Sequence, residues 1–99
     1  MATTFEELVW RAVKKIPRGR VSTYAAVARA IGAPCAARAV GNALNKNPFK
    51  DVPCHRVVRG DRAVGGYAHG TAAKIKRLQA EGVWIDGERV SPRSTLTRF

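Results

Sequence analysis

Apolar residues recur at helical spacing near the start of the chain and predict a first helix. They are Phe5, Leu8, Val9, Ala12, Val13 and Ile16. Thr4 and Glu7 fit a capping box, in which each side chain satisfies a free backbone N–H of the other residue. Pro17 and Gly19 follow the last apolar position and are expected to end the helix.

The next apolar and small residues predict two short helices joined by a tight turn. Residues 24–31 are Ala-rich, and Gly32 breaks the pattern. A second helix is expected to run from about Pro34, whose missing N–H costs nothing in a first turn, to Lys46. This outline is typical of a helix-turn-helix, although any pair of antiparallel helices in a small domain shares it.

The remaining elements are shorter. Thr71 is expected to cap a last helix over residues 72–81, and Gly82 is expected to end it. Residues 83–90 predict a hairpin around Asp86 and Gly87. The predicted fold is mainly α: one small domain over residues 1–90 with a winged-helix-like helix-turn-helix and a short β-hairpin or wing. Residues 91–99 form a basic tail that we expect to be loosely held.

The net charge of the chain indicates the kind of partner that it binds. The chain has 99 residues, with Lys+Arg 18 against Asp+Glu 7 and a net charge of +11. A small domain this basic usually meets a polyanion, and nucleic acid is favoured over an acidic membrane surface. A basic solubility surface or a ribosome-associated protein is the alternative. No apolar run approaches a membrane span, and the first residues do not have the pattern of a signal peptide, so we expect an intracellular protein that does not enter a membrane.

Cys54 beside His55 is the strongest chemical feature of the sequence. A thiolate is a nucleophile, and a nearby imidazole helps it to form. The alternative is a buried structural cysteine, which is the commoner case. Cys35 lies at the start of a predicted helix but has no adjacent histidine, and we interpret it as incidental. No metal site is predicted, because neither a C-x-x-C nor an H-x-x-x-H spacing occurs.

The second predicted helix has small residues on its face, among them Ala36, Ala39 and Gly41, with Arg38 as one long side chain. Small residues allow a helix to approach another body closely. That body is either a neighbouring helix or a DNA groove. Arg38 is correspondingly either a solvated charge or a side chain that reaches into DNA.

Several short motifs together resemble one family. Pro-Cys-His-Arg-Val-Val at 53–58 looks like the active-site motif of the O6-alkylguanine-DNA alkyltransferases. Further matches occur in the family's order at residues 21–24, 36–41, 47–48, 65–67 and 81–82. The resemblance covers residues 5–83, the family's C-terminal domain, and identifies residues 1–90 as an alkyltransferase-type DNA-binding and active-site domain.

The resemblance implies a role for each matching residue in the reaction. Cys54 would take the alkyl group from O6 of guanine, and His55 would act as base through a water. Glu81 would orient the histidine, and Asn47 would buttress the active-site turn. The alkylated cysteine would not be regenerated, so the resemblance implies one transfer per molecule without metal or organic cofactor.

The resemblance also implies substrate and DNA contacts. Tyr67 and Lys74 would position the flipped guanine, with Tyr67 as hydrogen-bond donor to the base, and Val57 would contact its edge through the backbone. Residues expected to bind DNA are Thr23, Tyr24, Ala36, Arg38, Ala39 and Gly41, with Tyr24 pushing the target phosphate and Arg38 filling the place of the extruded base. The implied partner is double-stranded DNA with an alkylated or damaged guanine, bound by a monomer in the cytoplasm near the nucleoid.

Departures from the family pattern leave alternatives open. Residues 49–52 form a loop about one residue shorter than usual, with Lys50 and Asp51 at normally apolar positions. His69 stands in a stretch that lines the family's pocket, where it could shrink that pocket, donate to the base or point to solvent.

An alkyltransferase-like protein would bind the lesion without transfer and flag it to excision-repair partners. A damaged-base glycosylase would use Glu81, Asp51 or His69, and a sequence-specific transcription factor is disfavoured by the Ala-rich helix face.

Overall fold

The computed structural model describes residues 4–67, 70–94 and 96–97. Within these residues the helices are α1 (Phe5–Lys14), α2 (Tyr24–Ala30), α3 (Ala37–Asn45) and α4 (Thr71–Ala80). The strands are β1 (Ser22–Thr23), β2 (Val57–Val58), β3 (Ile85–Asp86) and β4 (Arg89–Val90), and a single 3₁₀ turn spans Cys54–Arg56. The predicted mainly α domain with a short hairpin is confirmed.

The first helix forms as its sequence predicts. The Thr4 side chain accepts a hydrogen bond of 3.1 Å from the backbone N–H of Glu7, and the two side chains also meet. Val9, Ala12 and Val13 are buried on its inner face. Glu6 and Glu7 occupy the first turn, where the partial positive charge of the helix N-terminus stabilises carboxylates.

The second and third helices pack against each other and against α1. Thr23 caps α2 through a hydrogen bond from Ala26 N, and Gly32 takes the left-handed conformation after the helix ends. The predicted start of α3 at Pro34 is wrong. Residues 33–36 form a separate turn closed by Ala36 N to Ala33 O, and the helical hydrogen bonds begin only at the Ala36 carbonyl.

The parallel pairing of β1 with β2 divides the core in two. Ser22 pairs with Val57 and Thr23 pairs with Val58. Because successive strand residues point to opposite faces, the Val57 side chain joins the cluster formed by α1, α2 and α3, whereas the Val58 side chain joins the cluster that contains Leu78 of α4. This short ladder therefore fixes the position of the 3₁₀ turn immediately before it.

The last helix begins one residue earlier than predicted, and its cap differs. Gly70 is the N-cap, with a φ of 92° that glycine adopts without strain. Thr71 is the first helical residue, and its hydroxyl donates instead to the Gly65 carbonyl at 3.2 Å. This bond ties the start of α4 to the glycine-rich segment before it.

The β3–β4 hairpin is confirmed, with its loop at Gly87 and Glu88, one residue later than the predicted turn. The segment after it is held more firmly than we expected. Ser91 and Ser94 are buried, Leu96 bridges to Val21, and Thr97 N donates to Val21 O at 2.7 Å. The backbone groups of Leu96 and Thr97 pair with Val21, just before β1, a contact that the sequence does not reveal. Among the described residues, no helix has the length and apolar character needed to cross a membrane.

Candidate active site

A solvent-open cavity of about 990 Å³ lies between α2, α3, the loop before the 3₁₀ turn and α4. Cys54 lines it, together with Asn47 from the loop, Tyr24 from α2 and Tyr67 from the glycine-rich segment. A volume this large accommodates a drug-sized ligand or a nucleobase. We call it the Cys54 cavity.

Cys54 is held at the start of the 3₁₀ turn by the side chain of Asn47. Asn47 Nδ2 donates to Cys54 Sγ at 3.2 Å and to the Phe49 carbonyl at 2.8 Å, while its Oδ1 accepts from Phe49 N at 3.0 Å. One amide thus braces the loop and the sulfur together. Burial raises the pKa of the Cys54 thiol, and this effect outweighs the hydrogen bond from Asn47 and the positive charges of Lys74 and Arg77, which lower it.

His55 lies behind the cysteine and contacts a buried carboxylate. Its side chain is 3 % exposed, and its Nε2 lies 3.0 Å from Glu81 Oε2, although the ring N–H does not point along that line. Its Nδ1 is buried and has no hydrogen-bond partner among the described residues. Burial lowers the pKa of His55 despite the nearby carboxylate, so the imidazole is neutral at physiological pH and can accept a proton.

Glu81 is fixed by a bidentate salt bridge with Arg56. The guanidinium donates from Nε to Oε1 at 3.0 Å and from Nη2 to Oε2 at 2.8 Å, and its Nη1 donates to the Ile16 carbonyl at 2.8 Å. Burial acts to raise the pKa of Glu81, but the hydrogen bonds from Arg56 and the close contact with His55 hold it at about 2. The carboxylate is therefore ionised and rigid, which fixes the orientation of His55.

Lys74 is a buried cation beside the cavity. It is 1 % exposed, its Nζ donates to the Gly66 carbonyl at 3.2 Å, and it lies 5.8 Å above the Tyr24 ring. Burial lowers the pKa of Lys74 to about 8, and a negative charge on Cys54 would act in the opposite direction. Burial also raises the pKa of Tyr24, so its phenol stays protonated.

The outer wall of the site is formed by α3. Arg38 and Ala39 are exposed, whereas Ala36 and Gly41 are half-buried. A Cβ at Gly41 would lie 3.8 Å from the Tyr24 ring, so the small residue at this position faces the cavity wall. Thr23 is only 8 % exposed and its hydroxyl is used in the α2 cap, so its assignment to DNA contact stays a prediction.

Several other predicted site residues lie away from the cavity surface. Val57 is fully buried in the core, and its predicted base contact would have to use the backbone. Asp51 is exposed and pairs with Lys14 at 2.9 Å. His69 lies outside the described residues. No group of three metal-binding side chains was found among the residues that the structure describes.

Two arginines of the site were not identified from the sequence. Arg56 holds Glu81, and Arg77 lines the cavity and donates to the Tyr67 hydroxyl. Arg56 directly follows His55 within the active-site motif. Arg77 lies one turn after Lys74 on α4, which is the only pattern that could have indicated it.

Comparison with known proteins identifies related chains. Residues 4–83 match the family described as 6-O-methylguanine DNA methyltransferase, DNA binding domain. The methylated-DNA–protein-cysteine methyltransferase of Methanosarcina acetivorans is 47% identical over 81 residues, which are 81% of this chain and 52% of that protein. The chain thus spans about half the length of the curated relatives it matches.

Solved structures agree with the match. Mycobacterium tuberculosis OGT in complex with DNA superposes with a TM-score of 0.78 at 42% identity, covering 83% of this chain and 51% of that chain. S. pombe Atl1, in complex with damaged DNA containing O6-carboxymethylguanine, has a TM-score of 0.77 at 38% identity. That match covers 87% of this chain and 83% of the Atl1 chain.

Proposed function

Because the chain belongs to the 6-O-methylguanine DNA methyltransferase DNA-binding-domain family, we propose that it binds duplex DNA carrying an O6-alkylguanine and transfers the alkyl group to Cys54. The observation that carries this proposal is the placement of Cys54 Sγ on the wall of a nucleobase-sized cavity, 3.2 Å from the Asn47 amide. The neutral His55 and ionised Glu81 behind it supply the base that such a thiol needs.

The transfer is a displacement at the alkyl carbon. Cys54 gives up its proton towards His55 Nδ1 through a water, and the sulfur then forms a bond to the alkyl carbon while the bond from that carbon to O6 breaks. The departing guanine takes up one proton in place of the alkyl group, so atoms and charge balance. We expect Tyr67, which lines the cavity and accepts a hydrogen bond from Arg77, to donate a hydrogen bond to the base.

The base must leave the helix to reach the sulfur, since a side chain cannot approach O6 in this way inside a duplex. The exposed residues of α3 are the surface that supports DNA binding, because they combine small side chains with the long Arg38. Arg38 would fill the gap in the base stack, and Tyr24 at the mouth of the cavity would contact the backbone of the flipped nucleotide.

A lesion binder without transfer is the second candidate. Burial raises the pKa of the Cys54 thiol, so the unliganded protein holds it in the unreactive protonated form. A glycosylase is not favoured by the geometry, because Glu81 is held by Arg56 and Asp51 is exposed and paired with Lys14. Those carboxylates are not placed to activate water at the cavity.

The test is an intact-mass measurement after incubation with duplex DNA that contains O6-methylguanine. A gain of one methyl group, located at Cys54 by peptide mapping and ending at one equivalent, supports the transferase. Unchanged mass together with tight and lesion-selective binding contradicts transfer and favours the binder. Absence of both transfer and selective binding would refute both candidates. The Cys35→Ala variant serves as the matched control, because Cys35 is the other cysteine and is exposed.

A further inference from the structure

A second cavity, of about 490 Å³, lies next to the Cys54 cavity. Thr23 lines the second cavity and Tyr24 lines the first, so the two flank the junction of β1 and α2. Its charged lining residues are Arg29, Arg62 and Arg93, and no aspartate or glutamate occurs among the described residues that line it. We call this second cavity the arginine cavity.

Arg62 is held at this cavity in an unusual backbone conformation. Its φ is 70°, the only positive φ of a non-glycine residue in the part of the chain that the structure describes. Side-chain-bearing residues rarely adopt this region, and those that do are concentrated at functional sites. The guanidinium is then fixed by donating from Nη1 to the carbonyls of Ser91 at 2.7 Å and Ser94 at 3.3 Å. Its remaining N–H groups have no partner within the described residues.

The cavity also contains unused hydrogen-bonding groups. Ser22 Oγ and Thr97 Oγ1 are buried, and neither has a partner among residues 4–67, 70–94 and 96–97. Buried hydroxyls are nearly always hydrogen-bonded, so two unsatisfied ones in the wall of one cavity need an explanation. Arg29 likewise forms no side-chain hydrogen bond or ion pair within the described chain.

The third arginine lies over an aromatic ring. Arg93 Cζ lies 4.6 Å from the centre of the Trp84 ring, and Trp84 is 55% exposed. A guanidinium that is held over a ring by cation–π attraction does not use its N–H groups for that contact, so they stay available to an oxyanion. Two arginines are thus held by other parts of the protein, and like charges gathered without a carboxylate favour an anion.

We propose that the arginine cavity binds a phosphate group. Guanidinium groups donate to phosphate oxygens, and charge-assisted bonds of this kind are the strong ones. Two sources carry this chemistry. One is a phosphodiester of the DNA strand whose base enters the Cys54 cavity, which rests on the proposed function. The other is a free phosphate ion, which does not.

The first experiment uses inorganic phosphate and no DNA. Phosphate is titrated into the full chain at constant ionic strength, and the arginine Nε–Hε resonances are followed by NMR. Saturable shifts are expected for Arg29, Arg62 and Arg93 in the millimolar range, and not for Arg11 on α1, which lines neither cavity. Arg29→Gln should weaken the phosphate affinity severalfold without altering the fold, since Arg29 is exposed. Absence of saturable shifts, or equal shifts at Arg11, overturns the site.

The second experiment identifies the source. The affinity for undamaged duplex DNA is measured against salt concentration for the wild type, Arg29→Gln, Arg62→Gln and the matched control Arg11→Gln. Loss of one phosphate contact reduces the slope of log K against log salt by about one. That reduction in the cavity variants alone supports the DNA phosphodiester. Unchanged slopes with intact phosphate shifts assign the cavity to free phosphate and overturn the DNA source. If the wild type does not bind DNA, the proposed function fails while the phosphate titration still decides the site.

Discussion

Replacing Glu81 with glutamine tests the buried network behind the reactive cysteine. The side chain is 9% exposed, and the hydrogen bonds from Arg56 together with the close contact with His55 hold its pKa at about 2 against an ordinary value of 4.5. A carboxyl whose pKa is lower in the folded state stabilises the fold above the unfolded pKa, and this stabilisation is lost as the pH falls through the folded pKa. The full difference corresponds to about 3 kcal/mol at neutral pH.

The sign and the pH window follow from these values. Below pH 4.5 the Glu81 carboxylate is mostly protonated in the unfolded chain but still ionised in the folded protein, so the free energy of unfolding decreases as the pH is lowered. Between about pH 6 and about pH 3 the wild type should lose about 2 kcal/mol through this one group. Glu81→Gln removes the titration and should show a flatter dependence on pH by that amount.

The assay is urea unfolding at several pH values, followed by tryptophan fluorescence. Trp10 packs against the core cluster of α1, α2 and α3 and donates to the Ala43 carbonyl, so unfolding changes its surroundings. Glu88→Gln is the matched control, because it removes the same charge from an exposed position of the hairpin loop. If Glu81→Gln keeps the pH dependence of the wild type, Glu81 is not held as an ionised partner of Arg56, and the account of how His55 is oriented fails.

Three further outcomes are expected. Burial lowers the pKa of Lys74 to about 8, so the folded ammonium loses its proton at a lower pH than the unfolded one, and the free energy of unfolding of the wild type should rise by about 2 kcal/mol between about pH 8 and about pH 10. Lys74→Met should abolish this rise in urea unfolding. Equal pH dependence of the two proteins would contradict this prediction. Cys54→Ala should abolish methyl transfer in the mass assay but leave lesion binding within about twofold in a fluorescence titration, since alanine fits the space of the thiol; transfer that survives would exclude Cys54 as the acceptor. Arg38→Ala should weaken binding to damaged and undamaged duplex alike by about tenfold, the effect of losing about 1.4 kcal/mol, whereas Arg11→Ala should change it little; unchanged affinity for Arg38→Ala would remove it from the DNA interface.

The site combines two kinds of support for one sulfur. Asn47 acts directly on Cys54 from the loop, whereas Arg56 acts at a distance by holding Glu81, which in turn contacts His55. Arg56 also donates to the carbonyl of Ile16, just after α1. The proton acceptor is therefore anchored to the helical half of the domain, while the 3₁₀ turn that carries Cys54 is fixed by the β1–β2 pairing.

Local interactions explain which parts of the fold could be predicted from the sequence. The periodicity of α1 and its Thr4 cap involve residues within a turn of one another, and the same is true of the hairpin around Gly87. The start of α3 was predicted wrongly, because a proline suits both a first helical turn and the separate turn that it forms here. The pairing of Leu96 with Val21 was not predicted, because it joins residues that are far apart in the chain. The sequence therefore offers no reason to expect that the segment after residue 90 is held.

The same distinction holds for the candidate site. The adjacency of Cys54 and His55, the glycine-rich segment that follows them and the strongly basic charge can all be read from the sequence. Other features arise only when the chain folds: Asn47 contacts the sulfur, Arg56 holds Glu81 and Lys74 is buried beside Tyr24. Folding also brings three arginines to one cavity. Burial and long-range contacts set the charge and orientation of these groups, and both depend on which distant segments pack together, which local patterns do not encode.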